Sequence, residues 1–193
     1  MVNINVYISK NMKTIKYCIM TIICLSLTLI SCEDNAKDEK WGLSLLYMPQ
    51  SVSGDGGQTA NLPIDVYPSS RSDTSIVVGM YRSGLAPIEA VSANLIIASD
   101  TLTSAINKAK TGDGNYKIFK DAVLLPEDYY ELPNIISLNN GQRENHVFIK
   151  LNKERLFSDP HTGPFVLPVK LDNPTRYQLN EERSLTFFIF TKR

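Results

Sequence analysis

Two tyrosines and three acids stand together at Glu127-Asp128-Tyr129-Tyr130-Glu131. Tyrosine faces stack on the weakly positive C–H groups of sugar rings, and carboxylates accept from hydroxyls, so this mix suits glycan binding through Tyr129, Tyr130, Glu127 and Glu131. Neighbouring residues of an extended segment point to opposite faces. Glu127 and Asp128 would therefore not work as a glycosidase acid–base pair, whereas Glu127 and Glu131 could share a face. The plainer reading is strand packing, because aromatics are favoured in strands and pack across neighbours. Alternation would then bury one tyrosine of the pair. Trp41, Tyr47, Tyr67, Tyr81 and Tyr116 are further stacking material.

Catalytic chemistry finds little support. The chain has no H-E-x-x-H, no G-x-S-x-G and no G-x-x-x-x-G-K-[ST]. Gly54-Asp55-Gly56-Gly57 is rich in glycine but has no lysine behind it, and it reads as a turn. His146 opens a strand pattern and His161 follows Pro160, with no carboxylates at ligand spacing, so no metal site is expected. Asp113-Gly114-Asn115 is too poor in oxygens for a calcium loop, and Lys117 opposes a cation there. No cofactor and no enzymatic activity are expected.

Twenty basic residues balance 20 acidic ones over 193 residues, for a formal charge of zero. That balance argues against a nucleic-acid binder, and a hydrophobic fraction of 43% argues against a disordered chain. Cys18, Cys24 and Cys32 all precede residue 33, so no disulfide framework or cysteine zinc site is available downstream.

The N-terminal segment reads as an address. Lys10, Lys13 and Lys16 precede an uncharged run from Tyr17 to Ile30. The run is shorter than the about 20 residues a spanning helix needs, and it fits a signal-peptide core. It closes in Leu29-Ile30-Ser31-Cys32, which looks like a bacterial lipobox. Residues 1–31 are then a lipoprotein signal peptide, and Met12 offers a second plausible start. Cys32 is the acylated residue, and 32–40 form the acylated cysteine with a polar spacer. Acyl chains anchor a protein to a membrane without spanning it. The mature chain would have 162 residues and a formal charge of −3.

The elements that must position the candidate residues are strands. Period-2 alternation runs through Leu62–Tyr67, Ile76–Tyr81, Val147–Leu151, Leu167–Leu171 and Leu185–Phe190. Turn chemistry separates these runs, and Asn140-Gly141 is the strongest hairpin candidate. Pro63 and Pro168 predict edge or bulged strands. The Leu185–Phe190 run is apolar on both faces, which predicts a central position. One short inserted helix is expected where Leu102, Ala105, Ile106 and Ala109 share a face, capped by Ser99 or Asp100 and stopped at Gly112. A helical turn is expected at 153–157 with Asn152 as its cap. Residues 41–193 thus read as one all-β sandwich.

Leu124-Leu125-Pro126-Glu127-Asp128-Tyr129-Tyr130, Ile136-Ser137-Leu138, Gly141, Phe165–Val169, Tyr177–Asn180 and the strand Leu185–Phe190 occur in this order after the lipobox. The set resembles a family of Bacteroidota surface lipoproteins, the domain of unknown function 1735, over residues 43–191. The resemblance implies an immunoglobulin-like β-sandwich, often N-terminal in glycan-utilisation lipoproteins, and it carries no catalytic residues. It makes the expected function that of a non-enzymatic, lipid-anchored envelope module accessory to glycan binding or polysaccharide uptake. The expected partners are the membrane, glycan and outer-membrane uptake proteins, with no nucleic acid. Glu33 and Asp34 beside Cys32 resemble an acidic surface-export signal, so the outer membrane, facing outward, is the expected location. Asp100-Thr101-Leu102 matches an O-glycosylation pattern of this bacterial group at Thr101, although a helix start explains the same residues. A fimbria-like or adhesin assembly lipoprotein is the alternative, and a glycan-processing enzyme is the remote one.

Overall fold

The computed structural model describes residues 43–52, 60–68, 75–85 and 87–193. All of them fall within one unit, Gly42–Arg193. Cys32, the signal-peptide and spacer residues, Trp41 and the Gly54–Gly57 turn lie outside the described residues.

The described chain forms an all-β sandwich. In chain order its strands are β1 Leu45–Tyr47, β2 Asn61–Val66, β3 Ser75–Arg82, β4 Val91–Ile97, β5 Val123–Leu124, β6 Tyr130–Glu131, β7 Ile135–Leu138, β8 Glu144–Leu151, β9 Phe165–Asp172, β10 Gln178–Leu179 and β11 Leu185–Lys192. One sheet runs β10-β1-β3-β8-β6. The other runs β2-β11-β9-β4-β7, with β5 also paired to β9. The alternation read from sequence sets the core: Val78, Met80 and Ile149 of one sheet meet Leu167, Val169, Leu171, Phe188 and Phe190 of the other, all fully or almost fully buried.

β11 has its second apolar face covered as well. Helix α1 (Ser99–Lys110) lays Leu102, Ala105 and Ala109 over Val166, Phe187 and Ile189, and Phe119 and Ala122 complete this smaller cluster. Phe119 meets Phe187 edge-on at 5.0 Å. β11 is accordingly central, between β2 and β9. Pro63 sits on β2, an edge strand, as its missing donor requires.

Three local expectations are corrected. Pro168 lies on central β9, not on an edge. In an antiparallel strand a residue's N–H and C=O point the same way. The Pro168 carbonyl accepts from Ala98 N–H at 2.8 Å, so its missing donor faces the gap between the β5 pairing, which ends at Val166, and the β4 pairing, which begins at Val169. Asn140-Gly141 forms a turn but not a hairpin. Gly141 has φ +81° while Asn140 keeps a negative φ, and Gln142 N–H donates to Asn139 O at 3.0 Å. That is a type II geometry, which lacks the twist of a hairpin turn, and it carries the chain from β7 in one sheet to β8 in the other. Finally, α1 follows β4 so directly that Ala98 takes the cap position, with no side-chain cap bond. Ser99 and Asp100 fall inside the first turn, where the Asp100 charge still favours the helix N-terminus.

The other helix signals hold. Gly112, at φ +89°, ends α1. Asn152 caps α2 (Lys153–Ser158), its side-chain oxygen accepting from Arg155 N–H at 3.1 Å.

Candidate functional site

The Leu124–Glu131 segment crosses from one sheet to the other and delivers the tyrosine pair to the free edge of β8. Glu127–Tyr129 coil into a 3-10 turn after Pro126, and only Tyr130-Glu131 pair as a strand, Tyr130 opposite Leu151 and Glu131 opposite Lys150. The turn sends the two phenols to different neighbours. Tyr129 packs at 6.0 Å from Phe165, and its hydroxyl donates to Asp159 Oδ2 at 2.8 Å. That bond raises the Tyr129 pKa above its ordinary value. The Asp159 carboxyl is held below its ordinary value, first by the His161 backbone N–H and then by Tyr129.

Tyr130 instead lines an open groove of about 340 Å³ with Asp128, Glu131, Lys150, Leu151 and Asn152. Burial, followed by the Glu127 charge, pushes its phenol pKa up, so the hydroxyl remains a proton donor at neutral pH. Two ion pairs fix the rim: Glu131 with Lys150 at 3.5 Å, and Asp128 with Arg155 from α2. Asn152 N–H donates to Tyr129 O at 2.8 Å, tying the start of α2 to the tyrosine segment. The groove thus combines one aromatic ring, two carboxylates, an ammonium and an amide, and its lining includes no histidine, serine, threonine or cysteine. Its volume falls within the about 300–1,000 Å³ of small-molecule sites. Glu127 is exposed and acts on the groove only through its charge on Tyr130.

The sequence reading missed what continues from this groove. Lys150, Phe148, His146 and Glu144 alternate along the outer face of β8, and Phe148 stands opposite Val77 of β3. Phe148 and Val77 are each 44% exposed. His146 meets Phe148 edge-on at 5.3 Å, and it lies opposite Gly79, whose outer side is covered by Pro49 and Gln50. Tyr47 and Tyr81, 5.1 Å apart, extend the same face. The available signal was Phe148 itself, an aromatic residue in the outward phase of β8.

The remaining candidates are dispersed. His161 packs edge-on against Phe165 at 5.1 Å, remote in the fold from the outer face that carries His146. No cluster of three or more metal-ligating side chains occurs among the described residues. Thr101 is exposed on the first turn of α1, beside buried Leu102. Asp113 accepts from Asn115 N–H at 3.0 Å and caps a 3-10 turn at Gly114–Phe119, as a turn residue should. Among the described residues no helix is long and apolar enough to cross a membrane.

A family model described as an N-terminal domain matches residues 40–178. No curated protein matches the chain. Among solved structures, it is similar to a Bacteroides ovatus protein named as a candidate carbohydrate-binding protein, with TM-score 0.54 and 14% identity over 77% of this chain and 37% of that one. A Bacteroides ovatus protein of unknown function gives TM-score 0.56 and 16% identity over 77% and 44%. A Bacteroides ovatus multidomain protein including the domain of unknown function 1735 gives 0.54 and 14% over 79% and 46%. At such identities the likeness shows the fold alone, and the chain spans less than half the length of each. The family model covers well over half of the 193 residues, so the chain belongs to this family of N-terminal domains, whose structural neighbours include Bacteroides proteins.

Proposed function

We propose that this protein is a non-enzymatic, lipid-anchored module of the cell envelope that binds glycan along the outer face of its five-stranded sheet. The observation that carries this reading is the meeting of two features at β8: the edge groove that Tyr130 lines, in register with Leu151 on the core side, and the outer face on which Lys150 leads to the exposed rings of Phe148 and His146. A sugar ring would stack on Phe148 on the outer face, and Tyr130 would meet the glycan at the sheet edge. Asp128, Glu131 and Asn152 would take the hydroxyls. Asp128 and Glu131, the two carboxylates of this open groove, are each exposed and paired with a cation, which favours accepting sugar hydroxyls over acid–base cleavage.

The similarity to a candidate carbohydrate-binding protein supports the glycan-binding part of this reading, and a role accessory to polysaccharide uptake is what the resemblance to the domain of unknown function 1735 implies. Leu29-Ile30-Ser31-Cys32 supports lipidation at Cys32, and the acids that follow support an outer-membrane, outward-facing location. Isothermal titration of the detergent-solubilised protein against plant and host polysaccharides tests the binding. Heat is expected with at least one, weakened about tenfold by Tyr130→Ala or Phe148→Ala, as loss of a stacking aromatic requires, and little affected by Tyr129→Phe. Absence of heat with every polysaccharide, and of any co-purifying outer-membrane partner, would refute the reading.

A further inference from the structure

Four of the lysines fall within 13 residues, at Lys108, Lys110, Lys117 and Lys120. The chain reverses at Gly112, so the end of α1 and the following 3-10 turn Gly114–Phe119 face each other. Lys110, Lys117 and Lys120 then line one hollow of about 350 Å³ with Ala109, Gly112, Asp113 and Gly114. The frame is rigid: Ala109 and Phe119 are buried in the cluster under α1, on either side of the reversal. Lys108 is engaged beside it, its ammonium 4.7 Å from the Tyr116 ring centre and donating to the Tyr116 hydroxyl at 3.2 Å.

The other three ammoniums make no hydrogen bond or ion pair with the described residues. Ion pairs elsewhere among those residues engage Lys150, Arg155, Arg176 and Arg193. Asp113 is the one carboxylate in the lining, and it already accepts from Asn115 N–H. Like charges held together without counter-charges oppose the compact state. The helix dipole accounts for Lys108 and Lys110 in the last turn of α1. It does not account for Lys117 and Lys120, which come from the next segment. Gly114 needs neither a positive φ nor close packing, since a Cβ there would meet nothing within 4 Å, so its lack of a side chain leaves the floor bare.

From this convergence we infer a second binding site, in which Lys110, Lys117 and Lys120 take the oxyanions of an acidic polysaccharide, carboxylate or sulfate groups on successive sugars. Three separated ammoniums around an open hollow suit several linked charges better than a single small anion. The apolar residues of α1 are buried against the sheet, which leaves that helix no greasy face to lay on a lipid surface.

Isothermal titration with the full chain in detergent tests the site, using a hexamer of galacturonate as probe. A neutral galactose hexamer and glycerol phosphate, the headgroup of anionic lipids, separate the sources of charge. The expected result is binding of the uronate hexamer alone, weakened about tenfold or more between about 0.05 and 0.5 M salt. The paired substitution Lys117→Gln/Lys120→Gln should produce a similar loss with the melting temperature unchanged, while Tyr130→Ala leaves uronate binding intact. No uronate binding, equal binding of the neutral hexamer, equal binding of glycerol phosphate, or full binding by the paired lysine variant would each overturn the site. Loss on Tyr130→Ala would overturn it too, by placing the uronate in the other groove. Neutral-glycan binding lost with uronate binding retained would remove the earlier functional reading and leave this one standing.

Discussion

The Tyr129 hydroxyl and the Asp159 carboxylate form a switchable contact whose sign follows from its two pKa shifts. Asp159 is held below its ordinary carboxylate value when folded. Its contribution to stability is therefore present above the unfolded carboxyl pKa, and it is lost as pH falls through the lower folded value. Tyr129 is shifted upward, so its contribution holds at neutral pH and is lost only as alkali passes its raised folded value. Tyr129→Phe removes the donor and leaves the ring on Phe165. The variant should melt below the wild type at neutral pH, and the gap should narrow on acidification as Asp159 takes up its proton. Thermal unfolding followed by circular dichroism from neutral to acid pH checks this, and a gap of constant size would contradict it. Tyr130 lacks this partner and lines the groove while packing in part against the core, which is why only one of the two neighbours is assigned to a ligand.

Two features of helix α1 carry the arguments at the scale of elements. Its exit depends on Gly112, whose φ of +89° is a conformation that L side chains rarely adopt, in a place where added bulk would meet nothing. Gly112→Ala should therefore cost about 1–2 kcal/mol through backbone strain alone, whereas Gly114→Ala, with neither strain nor crowding, should be close to neutral. Chemical denaturation of the two variants makes the comparison, and equal losses would mean that the positive φ of Gly112 is not what limits the turn. The helix also answers for the second apolar face of β11. Phe187 packs against Phe119 under α1 and is 5% exposed. Phe187→Ala should cost about 3–5 kcal/mol, a core-sized loss from a residue on the outer face of its sheet. A loss under about 1 kcal/mol would show that α1 detaches readily. On the other side of the sandwich, Arg82 is fully buried and donates to Pro87 O at 3.1 Å and to the Tyr177 hydroxyl at 3.0 Å. Tyr177 donates in turn to Pro87 O at 2.8 Å, so these side chains pin the segments after β3 and before β10 to each other.

The whole molecule closes by joining the early and late parts of the chain. β2 runs parallel to β11 from Asn61 opposite Phe187 to Val66 opposite Lys192. Two edges are blunted, since β10 is two residues long and β2 carries Pro63, whereas β7 and the part of β8 beyond Tyr130-Glu131 remain open among the described residues. The proposed tether gives the prediction at this scale. Cys32→Ala should block lipidation and leave unprocessed precursor, read by mass spectrometry of membrane fractions, and protease added to whole cells should digest the wild-type domain. An unmodified Cys32 in a chain that keeps Met12 would end the anchoring proposal, while protection from protease with the lipid confirmed would end only the outward orientation.

The sequence by itself determined the segments whose physics is local. Alternation at Leu62–Val66, Ile76–Met80 and Val147–Leu151 marked inward faces that the sandwich buries, wholly or in part, because side-chain direction in a strand has period 2 wherever the strand lies. The two apolar faces of Leu185–Phe190 required cover on both sides, and the helical spacing from Leu102 to Ala109 supplied the element that covers one of them. Residue type likewise marked the cap at Asn152 and the stop at Gly112. Sheet membership was not legible, because it depends on contacts between residues far apart in the chain. β7 and β8 are consecutive yet belong to different sheets, and Pro168 sits in a central strand because two partners of β9 leave a gap there. Strands of two residues such as β6 are too short for any period to show, and the 3-10 turn at Glu127–Tyr129 broke the alternation expected of the tyrosine pair. The meeting of Lys110 with Lys117 and Lys120, and of Lys150 with Glu131, was decided only by the tertiary structure, since a turn and a strand pairing bring together residues that the chain itself sets apart.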